Sequence, residues 1–335
     1  MAMTPRERVR RTLRFEGVDR PARDVWTLPA AFFGREEELQ ALLAQYPPDF
    51  GPSGYRDPAG ESPLFTPGEW TDHWGSRWVN IQAGMIGEVK YPAIDTWRKL
   101  DHWKPPYHLL GVGFEDVNRT CAASDRFVHL GNPRPWERYQ FLRGSENAYM
   151  DLAWGVPEAF RLLEMIHGYY LQHLQHVVRT DVDAVSFMDD WGSKHALLIS
   201  PAMWVEYFKP LYKDYCELAH AHDKFVFMHS DGYILDIYEH LIEIGVDAIN
   251  SQLFTMPIEE IGRRIKGRIT FWGEMDRQHI LPFGTPEDVR AGVERVKRAL
   301  WDDRGGVIGQ AEFNKGYPLD NIRAFFEAWW GEPEV

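Results

Sequence analysis

Residues 224–233, Lys-Phe-Val-Phe-Met-His229-Ser-Asp231-Gly-Tyr, carry an apolar run that stops abruptly on polar residues, with an amphipathic helical pattern directly behind it. An imidazole and a carboxylate two positions apart point to the same side of an ideal strand. Glu312, just past the apolar run Gly306-Val-Ile-Gly309, would add a second carboxylate from another strand end. One nitrogen and two carboxylates are enough to hold zinc, manganese or iron(II) with open coordination positions. The plainer alternative is that Ser230 or Asp231 only caps the following helix. Spacing alone does not choose between them.

Other apolar runs end in the same way. Ala184–Met188 runs into Asp189 and Asp190, Asp247–Asn250 into Ser251 and Gln252, and Arg268–Trp272 into Glu274 and Asp276. Carboxylates gathered in one apolar cleft push each other's pKa values apart, which separates an acid from a base. Asp189, Asp190, Glu274 and Asp276 are therefore the candidate catalytic acids. Asp189 and Asp190 are adjacent and face opposite ways on a regular strand, so one is expected to face the site and the other to cap a turn. Asn250, Gln252, Trp191 and Trp272 are the candidate substrate contacts, although each Trp also suits a core position.

These residues need a scaffold that brings strand ends together. From residue 126 onward, short apolar strands alternate with polar turns and amphipathic helices. Strands too apolar to be half exposed, alternating with helices, predict a parallel sheet with crossover helices. Six or more such units favour a closed α/β barrel, a (β/α)8 TIM barrel forming a single domain over 1–335. In a barrel every strand end named above lies at one mouth. Upstream, Thr4-Pro5-Arg6-Glu7 predicts a helix start. Arg23–Leu28 is a candidate strand, Tyr46–Pro67 is a Pro- and Gly-rich excursion, and the alternating pattern over 72–90 predicts a β-hairpin over the mouth.

Composition narrows the function classes. The net charge of −13 opposes binding to nucleic acid and to anionic membranes. Arg6, Arg8, Arg10, Arg11 and Arg14 form one basic cluster, expected to be a solvated helix face. No apolar run approaches the ~20 residues that span a bilayer, and no secretory leader is evident, so a cytoplasmic protein is expected. Two cysteines, Cys121 and Cys216, provide neither a disulfide framework nor a thiolate-rich metal site.

Several stretches together resemble the uroporphyrinogen decarboxylase (URO-D) superfamily. They are Asp190-Trp-Gly-Ser193 with Ile199-Ser-Pro-Ala-Met-Trp204, His229-Ser-Asp-Gly232, Phe271-Trp-Gly-Glu-Met-Asp-Arg-Gln278 and Leu281–Val289. The resemblance implies the same (β/α)8 barrel. It also implies one of two chemistries: decarboxylation of a porphyrinogen without a cofactor, or zinc-dependent methyl transfer involving a corrinoid protein. The Arg-rich motif with which the decarboxylases grip propionates is absent, since the matching region reads Val25-Trp-Thr-Leu-Pro-Ala-Ala-Phe-Phe-Gly-Arg35. The methyltransferases' His-x-Cys is matched by His229-Ser-Asp231, and near their later Cys stands Glu312. The resemblance therefore implies a metal, zinc first, on harder ligands, with no bound organic cofactor. The implied enzyme is methyltransferase-like, acts on a small O- or N-methylated substrate, and has any corrinoid partner on a separate protein. A metal-free decarboxylase or lyase, and a non-catalytic ligand- or corrinoid-binding protein, are the alternatives.

Overall fold

The computed structural model describes residues 3–58 and 63–332, so the excursion Tyr46–Pro67 is described except for 59–62. Its strands are β1 (Ala22–Thr27), β2 (Gly68–Thr71), β3 (Arg77–Asn80), β4 (Glu88–Tyr91), β5 (His129–Gly131), β6 (Ala184–Met188), β7 (Phe225–Ser230), β8 (Ala248–Ser251), β9 (Thr270–Trp272) and β10 (Val307–Phe313). Seven form one sheet in the order β1-β10-β9-β8-β7-β6-β5, with every pair parallel. Their C-terminal ends therefore share one side. Register aligns the ends of neighbours: Met188 pairs with His229, His229 with Asn250, and Trp26 with Glu312.

Among the described residues, seven strands stand in this sheet where eight were expected. Between β1 and β5, residues 49–51 make a single parallel bridge, Phe50 to Phe127. Asp49 N donates to Arg23 O at 2.8 Å, and Gly51 N to Phe127 O at 2.9 Å. Pro47, Pro48 and Pro52 flank this segment and lack the N–H a longer ladder needs, so pairing stays short.

The helix Pro5–Arg14 begins as its sequence predicts, with Thr4 Oγ1 accepting from Glu7 N. Val9 and Leu13 on it are buried in a cluster with Phe50, Phe127, Phe227, Trp272 and Ile308. Each such aliphatic side chain contributes roughly 1.5–3 kcal/mol on burial. The basic cluster on this helix differs from expectation. Arg8 is buried and pairs with Asp49 and Asp19, both at 2.6 Å, and Arg6 and Arg10 converge on buried Asp183. These arginines tie the helix to the strand starts.

The segment 68–91 is three antiparallel strands, β2-β3-β4, instead of one hairpin. Its distal turn docks on the chain that follows β1, where Ala30 N donates to Gly84 O at 3.4 Å. Gly84 has φ +76°, and a Cβ there would lie 2.7 Å from Ala30 N, so only glycine allows this approach.

Candidate active site

His229, next to last on β7, has a fixed orientation. Its Nδ1 lies 2.6 Å from Asn250 Oδ1, across the β7–β8 register. Asn250 Nδ2 donates to Trp272 O at 2.5 Å and to Gln310 Oε1 at 3.0 Å, so Oδ1 is the accepting end of that amide. Nδ1 must then carry the proton, leaving Nε2 to face two carboxylates: Asp190 Oδ1 at 3.5 Å and Asp231 Oδ1 at 3.6 Å. Asp190 is held in turn by Asp231 N, which donates to its Oδ1 at 2.9 Å. Ligand atoms of Asp190, His229 and Asp231 all lie within 4.8 Å of one another. Burial opposes a charge on His229, but the Asp190 hydrogen bond and the two carboxylates outweigh it and push the imidazole up to about 9. A cation is favoured at this point, whether a proton or a metal.

Glu312 is not part of that group. Its carboxylate lies 3.1 Å from Arg277 Nη1, whose guanidinium also holds Glu274 at 3.1 Å and Asp231. Three acids around one arginine satisfy the guanidinium fork and draw Glu312 away from His229. Arg277 lies within the motif Glu274-Met-Asp-Arg277, yet nothing in a pattern of acids at strand ends marks the arginine between them as their shared partner.

Glu274 is 6% exposed, and its Oε2 has no hydrogen-bond partner. Burial raises this carboxyl to about 8; Arg277 opposes the shift, while Asp231 and Glu312 reinforce it. It lines a cavity of about 200 Å³ together with Gln252, Arg277, Lys194 and His195.

The adjacent pair Asp189 and Asp190 divides. Asp190 faces His229, whereas Asp189 is fully buried and accepts from Trp136 N, Glu137 N and Tyr212 OH at 2.9, 2.7 and 2.6 Å. It therefore satisfies the N-terminus of the helix Pro135–Arg143 and anchors it. Asp276 likewise spends Oδ1 on the N–H groups of Gln278 and His279, both at 2.8 Å, and shapes the turn. Trp191, expected to touch substrate, is fully buried and stacks on Trp136 at 5.3 Å. Its indole donates to Tyr212 OH, which makes it core.

Trp272 does border the site. With Trp26, His129, Met188 and His229 it lines a cavity of about 270 Å³ at the strand ends. Asp24 on β1, absent from the sequence-based candidates, accepts from Trp272 Nε1 at 2.9 Å and Trp26 Nε1 at 3.0 Å, fixing both indoles; the Trp26 ring lies 5.3 Å from that of His229. Asp24 sits within the strand and not at its end, so no polar stop marks its position.

A parallel α/β sheet whose strand ends set acids around an oriented histidine has the build of an enzyme active site. Residues 80–329 match the family described as uroporphyrinogen decarboxylase (URO-D), and the chain belongs to that family. No curated protein matches it. Among solved structures it is similar to a methyltransferase from Methanosarcina mazei, with a TM-score of 0.70 at 14% identity over 97% of this chain and 98% of that one. It is more distantly similar to a B12-independent methionine synthase from a Shewanella species, with a TM-score of 0.42, 12% identity, and 65% and 64% of the two chains covered. A dihydropteroate synthase from Xanthomonas albilineans has a TM-score of 0.34 at 11% identity, over 48% and 58%. At 14% identity the likeness to the Methanosarcina mazei methyltransferase is one of fold. Among the described residues, no helix is long and apolar enough to cross a membrane.

Proposed function

We propose that this chain is a single-domain, metal-dependent enzyme that removes a methyl group from a small O- or N-methylated substrate and passes it to an acceptor such as a corrinoid on a separate protein. The observation that carries this reading is the fixed orientation of His229, whose Nδ1–H is held by Asn250 and whose Nε2, the position a proton or a metal ion would take, is turned toward Asp190 and Asp231. One imidazole nitrogen and two carboxylates fit zinc, manganese or iron(II), and Asn250 fills the orienting role that ligand histidines require. The bound cation would supply Lewis acidity to the substrate heteroatom as its bond to the methyl carbon breaks.

The protein's own groups account for the rest. Glu274, neutral below about pH 8, holds a proton available to the departing heteroatom. Arg277 keeps Asp231 and Glu274 in place. Trp26 and Trp272, pinned by Asp24, wall the cavity beside His229, and Gln252 lines its neighbour. The chain purified without added metal is expected to contain near-stoichiometric divalent metal that His229→Ala loses. Less than about 0.2 equivalents, unchanged in that variant, would sink the proposal.

A second reading rests on Glu274: decarboxylation of a small acid without metal, with the proton delivered by this buried carboxyl. Turnover that persists in chelator but disappears in Glu274→Gln would favour it.

A further inference from the structure

A second cavity, larger than the one beside His229, borders it. It measures about 570 Å³ and lies between the small sheet β2-β3-β4 and the helices Pro135–Arg143 and Pro157–Val177. That volume is in the range that holds drug-sized ligands, about 300–1,000 Å³. Its walls are aromatic: Trp70 stacks on Trp78 with centroids 5.3 Å apart, and Trp74 meets Tyr169 edge-on at 4.8 Å. Gly131 and Asn132, at the end of β5, line both this chamber and the cavity beside His229, so the two share a wall.

Two arginines enter the chamber in different states. Arg138 is neutralised, with Nη1 3.0 Å from Asp72 Oδ2 and its guanidinium over the Trp74 ring at 4.6 Å. Arg134 stands at the shared wall. Its Nη2 donates to Asn132 Oδ1 at 2.8 Å and to Met188 Sδ, while among the described residues Nη1 approaches only Glu137, at 3.7 Å and beyond hydrogen-bond reach. It is therefore a cation with spare donors beside aromatic faces. The guanidinium fork is matched by a carboxylate, and the walls by a flat ring.

We propose that this chamber is a second binding site, which takes a planar aromatic carboxylate with its ring among Trp74, Trp78 and Tyr169 and its carboxylate on Arg134. An aromatic acid seated there holds its carboxylate at the wall shared with the His229 cavity and its ring away from that wall, so the chamber is a site apart from the methyl-transfer centre proposed above. Binding itself does not require the metal.

The test is calorimetric titration of the full chain, kept in chelator, with 4-methoxybenzoate. Saturable binding with a Kd near or below about 1 mM is expected. 4-Methoxybenzamide and cyclohexanecarboxylate should each bind at least about tenfold more weakly, the first for lack of charge and the second for lack of a flat ring, and Arg134→Gln should weaken the methoxybenzoate by a similar factor. Absence of saturation, or equal binding by either comparison compound, overturns the proposal. The two comparison compounds are measured on the unaltered chain, so the test remains decisive even if the variant does not fold. Because chelator is present throughout, binding can fail while the metal reading holds, and the reverse.

Discussion

Asn250 decides which nitrogen of His229 faces Asp190 and Asp231, because its own amide nitrogen is committed to Trp272 O and Gln310 Oε1. Asn250→Ala removes that orientation and frees the ring to present either nitrogen. Zinc affinity, read by competition with a chromogenic chelator, is expected to fall about 10- to 100-fold. Unchanged affinity in a folded variant would show that Asn250 does not orient a ligand.

Asp189 and Asp190 should respond to substitution in opposite ways. Asp189→Ala strands two helix N–H groups and the Tyr212 hydroxyl in a dry environment, where each unsatisfied group costs about 1–3 kcal/mol. Denaturant titration is expected to show a loss of several kcal/mol. Asp190→Ala removes a half-exposed group beside His229 and is expected to reduce metal content with a smaller stability change. If the two variants lose stability equally, the separation of roles is wrong.

Strand ends are legible in the sequence because apolar runs with abrupt polar stops reflect both burial and the direction of the chain. His229, Asp190 and Asp231 stand out in this way, as does the capping of Pro5–Arg14 by Thr4. What escapes depends on neighbours remote in sequence. The place of Glu312 is decided by Arg277, the place of Asp189 by a helix N-terminus more than fifty residues upstream, and the burial of Trp191 by Trp136. Period-two spacing carries none of those pairings. The short bridge at Phe50 is hidden in a Pro-rich stretch that reads as loop.

Glu274 gives the fold a pH dependence. Its carboxyl is raised from 4.5 to about 8 in the folded chain, chiefly by burial. Between those values the folded state binds more protons than the unfolded one, so this contribution is fully present below about pH 4.5 and is lost as pH rises through 8. Glu274→Gln removes the titrating group and keeps the shape. Its stability relative to the parent chain is expected to improve from pH 5 to pH 8, by up to about 4 kcal/mol at one pKa unit per 1.36 kcal/mol. The comparison should be made on chelated protein by urea unfolding at both pH values. A difference that stays flat or narrows in the parent's favour would place the proton elsewhere.

Glu312 and Asp190 separate two versions of the metal site. In the first, read from strand ends alone, Glu312 joins His229 and Asp231; in the second, Asp190 joins them while Glu312 stays on Arg277. Isosteric amides test this with little change of shape. Asp190→Asn replaces an anionic donor that lies 3.5 Å from His229 Nε2, and zinc affinity is expected to drop at least about tenfold. Glu312→Gln leaves the three converging groups intact and still lets an amide oxygen accept from Arg277, so affinity is expected to stay within about twofold of the parent, given that charges screened by a paired arginine couple weakly. A loss in Glu312→Gln as large as that in Asp190→Asn would mean that Arg277 releases Glu312 when metal binds.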